Sequence, residues 1–364
     1  MSALFSPLTL KTVTLKNRIV VSPMCQYMAR QGLLNDWHLS HYTALARGGA
    51  GLVIVEATAV SPKGRITPGD AGLWSDDHVE GFASVASAIK RAGAVPGIQI
   101  GHAGRKAGCT PPWQGGKPLH TDHPEAWQPE APSAMPYMPE SPHMPEEMTY
   151  EDISRTRQDF ARAAKRALDA GFEWLELHFA HGFLGQTFLS RQSNIRADQY
   201  GGTLENRARF LLETINSVKQ VWPDTLPLTV RLGVTEFEEG DETSLEDAIQ
   251  LLKWMKALGV DLVDVGLAGV KPGENVPWGP NFMVPYAERI KEETGLLVST
   301  SWQITDPLEA DAFVRDAKID LVLFARTLLA NPHWPFSAAR ALGVEHAERV
   351  LPTPYAYWLE HWQP

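Results

Sequence analysis

Eight short runs of aliphatic and β-branched residues recur along the chain: "RIVVS", "GLVIVEA", "VPGIQI", "EWLELHF", "LPLTVRL", "VDLVDVG", "GLLVST" and "DLVLFA". Between them lie longer stretches such as "DDHVEGFASVASAIKRAG", "YEDISRTRQDFARAAKRALDAG", "TLENRARFLLETINSVKQVW", "SLEDAIQLLKWMKALG" and "DPLEADAFVRDA", whose apolar residues return at helical spacing. Several open on Ser, Thr or Asp and close on Gly, as helix caps do. Strands that alternate with helices pair in parallel. Eight such units predict a closed (β/α)8 barrel rather than an open doubly wound sheet. With 364 residues, 44% of them hydrophobic, one barrel enlarged by insertions accounts for residues 1–364 as a single domain.

A barrel places its chemistry where strands end and loops begin, at the C-terminal face. Pro23, Met24 and Cys25 follow the first run, Ala57 and Thr58 the second, Gln99 and His102 the third, and His178 and His181 the fourth. Arg231 follows the fifth, Trp302 the seventh and Arg326 the eighth, whereas the sixth, ending near Gly266, offers no candidate. Two regions break the rhythm. Residues 103–148 form a Pro- and Gly-rich insertion after the third strand, expected to lie over the active-site mouth as a lid or wall. The tail, residues 351–364, carries Tyr355, Tyr357, Trp358 and Trp362 and is too aromatic for a solvated end, so it is expected to dock.

A formal net charge of −10, with Lys and Arg scattered, supplies no basic field for nucleic acid or anionic lipid. The start of the chain lacks a basic segment followed by a long apolar one, and no apolar run reaches the roughly 20 residues that span a bilayer, which predicts a cytoplasmic protein. Two cysteines, Cys25 and Cys109, make neither a disulfide framework nor a four-thiolate cluster.

Phosphate-bearing cofactors in barrels are held after strands seven and eight. Arg326 can contact a phosphate there, and the small Ala325 lets its backbone N–H approach one; the plainer alternative for Arg326 is a surface salt bridge. No G-x-G-x-x-G follows a strand, so a nicotinamide must visit a shared pocket. A flavin mononucleotide, FMN, suits the layout, with Gln99 on its pyrimidine edge and Arg231 where the reduced ring gathers negative charge, although a strand-end Gln or Arg is often structural. His178 and His181 admit three readings: a metal pair, an oxyanion clamp, or core packing. A zinc site needs a third ligand and usually an acidic partner, and "HFAH" contains none, which argues for no metal here.

The block "NIRADQYGGTLENRARF", residues 194–210, together with "PMCQY", "EATAVSPKGRITPGD", "QIGHAGRK" and "ELHFAHGFLGQTFLS" in that order along the chain, resembles the old yellow enzyme family of FMN-dependent ene-reductases. "PMCQY" and "WHLSHYTALARGGAGL" resemble the branch of xenobiotic reductase A and the thermophilic-like enzymes. The resemblance implies that NADPH or NADH reduces FMN, which then passes hydride to the C=C bond of an activated alkene, or reduces a nitro compound or nitrate ester, in ping-pong fashion. It implies Pro23, Met24, Cys25, Ala57, Gln99, Arg231, Ala325 and Arg326 around the flavin, and Tyr27, Lys106, His178, His181, Trp302 and Trp358 around the substrate. The two histidines would clamp the substrate's oxygen. Trp358 and Tyr355 match aromatics that reach a neighbouring subunit's site, implying a homodimer or larger homo-oligomer.

One position departs from the family. Where His-Gly-Tyr is usual and the tyrosine gives the proton, this chain reads His181-Gly182-Phe183. Phenylalanine keeps the ring but has no proton to give. Water, Tyr27 or another donor could act instead, or turnover is altered. Without the resemblance, two further readings stand: a flavin-free barrel lyase, isomerase or metal hydrolase using the histidine pair, and a flavin- or ligand-binding protein with impaired turnover.

Overall fold

A computed structural model describes residues 2–237 and 242–362. Each of the eight apolar runs forms a strand: β1 (Ile19–Val21), β2 (Leu52–Ala59), β3 (Val95–Gly101), β4 (Trp174–Phe179), β5 (Leu228–Gly233), β6 (Leu262–Gly266), β7 (Leu297–Thr300) and β8 (Leu321–Phe324). All pair in parallel with their sequence neighbours, and β8 closes onto β1 with Val322 opposite Ile19. The chain is a closed (β/α)8 TIM barrel, as the alternation predicts.

The floor of the barrel shows why it is solid. Leu52, Trp174, Leu262 and Leu321, the first residues of the four even-numbered strands, are buried in one cluster. Alternate strands filling one layer with bulky side chains is the packing rule of this fold. Val13 and Leu15 join that cluster from an antiparallel hairpin, Leu8–Leu10 with Val13–Leu15, which plugs the N-terminal end. Only the opposite end is left for a site.

The flanking helices start and stop where their side chains allow. Thr149 and Asp152 cap each other's backbone at the start of the helix Tyr150–Asp169, and Asp306 caps Pro307–Arg315. Gly295, at φ +63°, ends the helix Val284–Thr294. In the insertion, Trp127 donates to the carbonyl of Lys63 at 3.0 Å and takes the Arg65 guanidinium over its ring at 4.6 Å. Those contacts anchor residues 103–148 to the loop after β2. Among the described residues no helix is long and apolar enough to cross a membrane.

Candidate active site

Two cavities open at the C-terminal ends of the strands, and His181 lines both. The first, about 320 Å³, gathers Pro23 and Met24 after β1, Arg231 from β5, Trp302 after β7, and Ala325 and Arg326 after β8. The second, about 270 Å³, is walled by Tyr27 and Phe183 and, from the insertion, by Arg105, Lys106 and Tyr137. Ala57, His178 and Phe183 border a narrow gap. Most of the candidates that the sequence scatters over seven strand ends therefore meet.

Three line neither the two cavities nor the gap. Gln99 is buried and donates its amide to Glu176 at 2.7 Å, an acid that faces it across the β3–β4 pairing. Cys25 is half-buried, and desolvation, then Asp70 and Glu56, push its thiol well above the ordinary range. Trp358 is 77% exposed on the helix Thr353–Leu359, so the tail does not enter the site of its own chain. Instead Tyr355 packs on His333 and Trp362 on Arg340. Lys106, which in sequence reads equally as a solvated surface lysine, is held inside by the carbonyls of His181 and Gly269, each 2.7 Å from Nζ.

The histidines are aimed by backbone that few residues tolerate. His178 ends β4 beside Arg231 of β5. His181 at φ +60° and Gly182 at φ +69° both take the left-handed conformation, while the N–H of His181 donates to the carbonyl of Leu267 at 3.0 Å. Phe183 then starts the short helix Leu184–Leu189, whose Leu184 N–H is held by His102. Tyr27, Trp302 and Gln303 also have positive φ. Strain of this kind costs of order 1–3 kcal/mol per residue and collects at functional sites, and here it falls on the cavity walls. The block at 194–210 is scaffolding beneath: Asn194 ties the carbonyls of Phe188 and Tyr200, and Arg196 pairs with Asp198 at 2.6 Å.

The imidazole rings stand edge to face, centroids 5.0 Å apart. Nδ1 of His178 accepts the N–H of Ala180 at 3.3 Å, which places that ring's proton on Nε2. Burial first, then Arg231 and Lys106, hold His178 well below the usual histidine range; burial, Arg231, His178 and Lys106 do the same to His181. Both are neutral rings with an N–H to give.

Arg231 lies under them with Nε 2.9 Å from the carboxylate of Asp264, its neighbour in the β5–β6 register. Nε makes this ion pair but no hydrogen bond, and the buried Nε2 of His181 and Nε1 of Trp302 have no hydrogen-bond partner. An unsatisfied buried donor costs about 1–3 kcal/mol. Trp302 Nε1, His181 Nε2 and the Arg231 guanidinium on the walls of one cavity fit a polar, electron-rich group. Asp264 and Glu176, acids inside apolar strands, escaped the strand-end search because they lie within the runs; "VDVG" and "LEL" carried the signal. The sixth strand thus contributes after all, through Asp264 and the Gly269 carbonyl.

A closed parallel barrel with a cation-bearing cavity beside two neutral imidazoles is a frame that suits a polar, electron-rich ligand. The comparisons name the family. The sequence matches the NADH:flavin oxidoreductase / NADH oxidase family over residues 3–345. It is 44% identical to an NADPH dehydrogenase of Geobacillus sp. (strain WCH70), covering 93% of this chain and 94% of that one, and 43% identical to an NADPH dehydrogenase of Bacillus velezensis, covering 97% and 98%. Among solved structures it superposes on morphinone reductase in complex with tetrahydroNAD with TM-score 0.77 and 27% identity, covering 94% and 91%. It also matches a 2-naphthoyl-CoA reductase complex with TM-score 0.82 and 27% identity, covering 96% of this chain and 53% of that one. The chain belongs to this family, that of old yellow enzyme, and is an oxidoreductase with FMN as its cofactor. The flavin-free readings fall away.

Proposed function

We propose that the chain is an NADPH-dependent ene-reductase that saturates the C=C bond of α,β-unsaturated carbonyl compounds. The observation that carries this is the pair of neutral imidazoles set edge to face, His181 on the wall of both cavities and His178 in the gap beside it. NADPH as reductant is supported by the names of the Geobacillus and Bacillus relatives, and a nicotinamide in the shared pocket by the morphinone reductase complex.

Pro23, Met24, Ala57, Arg231, Ala325 and Arg326 would hold FMN, with Gln99 and Cys25 supporting it from behind. When bound, FMN carries hydride from the nicotinamide to the alkene's β-carbon. His178 and His181 donate N–H groups to the carbonyl oxygen, drawing electrons from the C=C bond and steadying the enolate charge; oxyanion donors of this kind contribute about 3–4 kcal/mol each. Arg231 supplies positive charge beneath, moderated by Asp264. Tyr27, Lys106 and Trp302 shape the space for substrate. Phe183 cannot deliver the proton.

The exposed tail supports a homodimer. Tyr357 and Trp358 are 69% and 77% exposed on one short helix, more apolar ring surface than a free end keeps in water, and a second copy would bring Trp358 to a neighbouring mouth. Incubating the holoenzyme with NADPH and 2-cyclohexenone, then assaying for cyclohexanone, tests the function. Formation of cyclohexanone is expected; NADPH oxidation with no saturated product would refute the reading.

A further inference from the structure

With phenylalanine at 183, the second cavity must supply a proton from elsewhere, and its wall holds three candidates: Tyr27, Lys106 and Tyr137. The inference rests on the ene-reductase reading. Tyr27 is poorly placed to give one up, since burial and the neighbouring Cys25 and Asp70 all resist a negative phenolate there. Tyr137, near the end of the insertion, is also pushed up by burial and Glu274, but unlike Tyr27 it has cations beside it. Lys106 Nζ lies 4.1 Å from its ring centroid and the Arg105 guanidinium 5.9 Å. Two cations beside a phenol stabilise the anion it leaves behind.

Lys106 also fixes where Tyr137 stands. Its Nζ is pinned by the carbonyls of His181 and Gly269 and lies 5.9 Å from the Phe183 ring, so the one ammonium touches the clamp loop, the vacated acid position and Tyr137. The Tyr137 hydroxyl makes no hydrogen bond to another described residue, which leaves it free for a ligand. We propose that Tyr137 is the proton donor to the substrate's α-carbon, taking over from position 183.

The step balances. Once hydride has reached the β-carbon, the enolate's C=C electron pair takes the Tyr137 proton to form the α C–H bond, and the carbonyl C=O is restored. The O–H bond of Tyr137 breaks, and the half-exposed phenolate regains a proton from water. Burial, then Glu274, keep the phenol above its ordinary range, so it carries its proton at neutral pH.

The test is anaerobic stopped-flow reoxidation of the NADPH-reduced holoenzyme by 2-cyclohexenone and by 1,4-benzoquinone, whose reduction needs no proton on carbon. Tyr137→Phe is expected to slow reoxidation by 2-cyclohexenone by about 10²–10⁴-fold, the range of general acid catalysis, while benzoquinone still reoxidises it. Spectral titration of the oxidised protein with 2-cyclohexenone is expected to give nearly the wild-type Kd, showing the cavity intact. Adding Phe183→Tyr to Tyr137→Phe is expected to restore the rate. Wild-type reoxidation of Tyr137→Phe by 2-cyclohexenone, equal slowing with both oxidants, or a rise in Kd as large as the rate loss would each overturn the proposal. Failure of the ene-reductase reading itself is distinct, because wild-type enzyme would then be reoxidised by benzoquinone but by no alkene.

Discussion

The α-carbon of Gly182 presses against the carbonyl oxygen of Gly269, so closely that a Cβ at 182 would stand 2.1 Å from it. That contact sets the spacing between the loops after β4 and β6, and the two carbonyls that hold Lys106 belong to those loops. Gly182→Ala meets both a clash and an unfavourable φ of +69°. It is expected to destabilise the protein by at least about 1–3 kcal/mol, visible as a lower Tm in thermal unfolding, and to weaken 2-cyclohexenone binding as His181 moves. An unchanged Tm would mean that the loops are not packed as described.

The proposed clamp of neutral donors has a pH signature. Unfolded histidine titrates at about 6.5, whereas His178 and His181 are held well below that. In the folded protein they therefore stay uncharged through neutral pH, and the stability they contribute is complete above the unfolded value and lost as pH falls beneath it. Imidazole ¹⁵N spectra of the holoenzyme are expected to show neither ring titrating between pH 6 and 8. A midpoint near 6.5 for either would contradict the assignment.

Asp264 moderates Arg231 across 2.9 Å in a site where neither is exposed. Burial pushes the Asp264 carboxyl up and Arg231 pulls it back, so the pair shares one charge balance. With FMN held as proposed, Asp264→Asn leaves the guanidinium uncancelled beside the cofactor. The expected result is a more positive flavin reduction potential, because the reduced ring is the more negative form. Redox titration checks it, and an unshifted or lower potential would show that Arg231 does not face the ring.

If the tail seals a dimer, its loss should separate the subunits without unfolding the barrel, since the helix Thr353–Leu359 buries no residue in its own chain. Ending the chain at Leu351 is expected to give a folded monomer by analytical ultracentrifugation, with weaker substrate discrimination. A truncated protein that sediments like the full chain would remove the tail from the interface.

Much of this was legible before any coordinates. Hydrophobic periodicity marks all eight strands because each is buried on both faces, and the strand-end rule picked out Pro23, Arg231 and Arg326, which line the first cavity, and His178, which borders the gap. The rule failed for Asp264 and Glu176, which sit within strands and act by pairing with Arg231 and Gln99 across the register. It also failed for Tyr137, because a Pro-rich insertion has no period from which to read which side chain turns inward. Lys106 looked ambiguous for the same reason: its two carbonyl partners lie 75 and 163 residues away, and only the closed barrel brings them together.

The most direct test of the account is a visible spectrum of the anaerobic holoenzyme, taken before NADPH, after NADPH, and again after 2-cyclohexenone. Flavin absorbance that NADPH bleaches and 2-cyclohexenone restores is expected. Absorbance that NADPH does not bleach, or that no alkene restores, would contradict it.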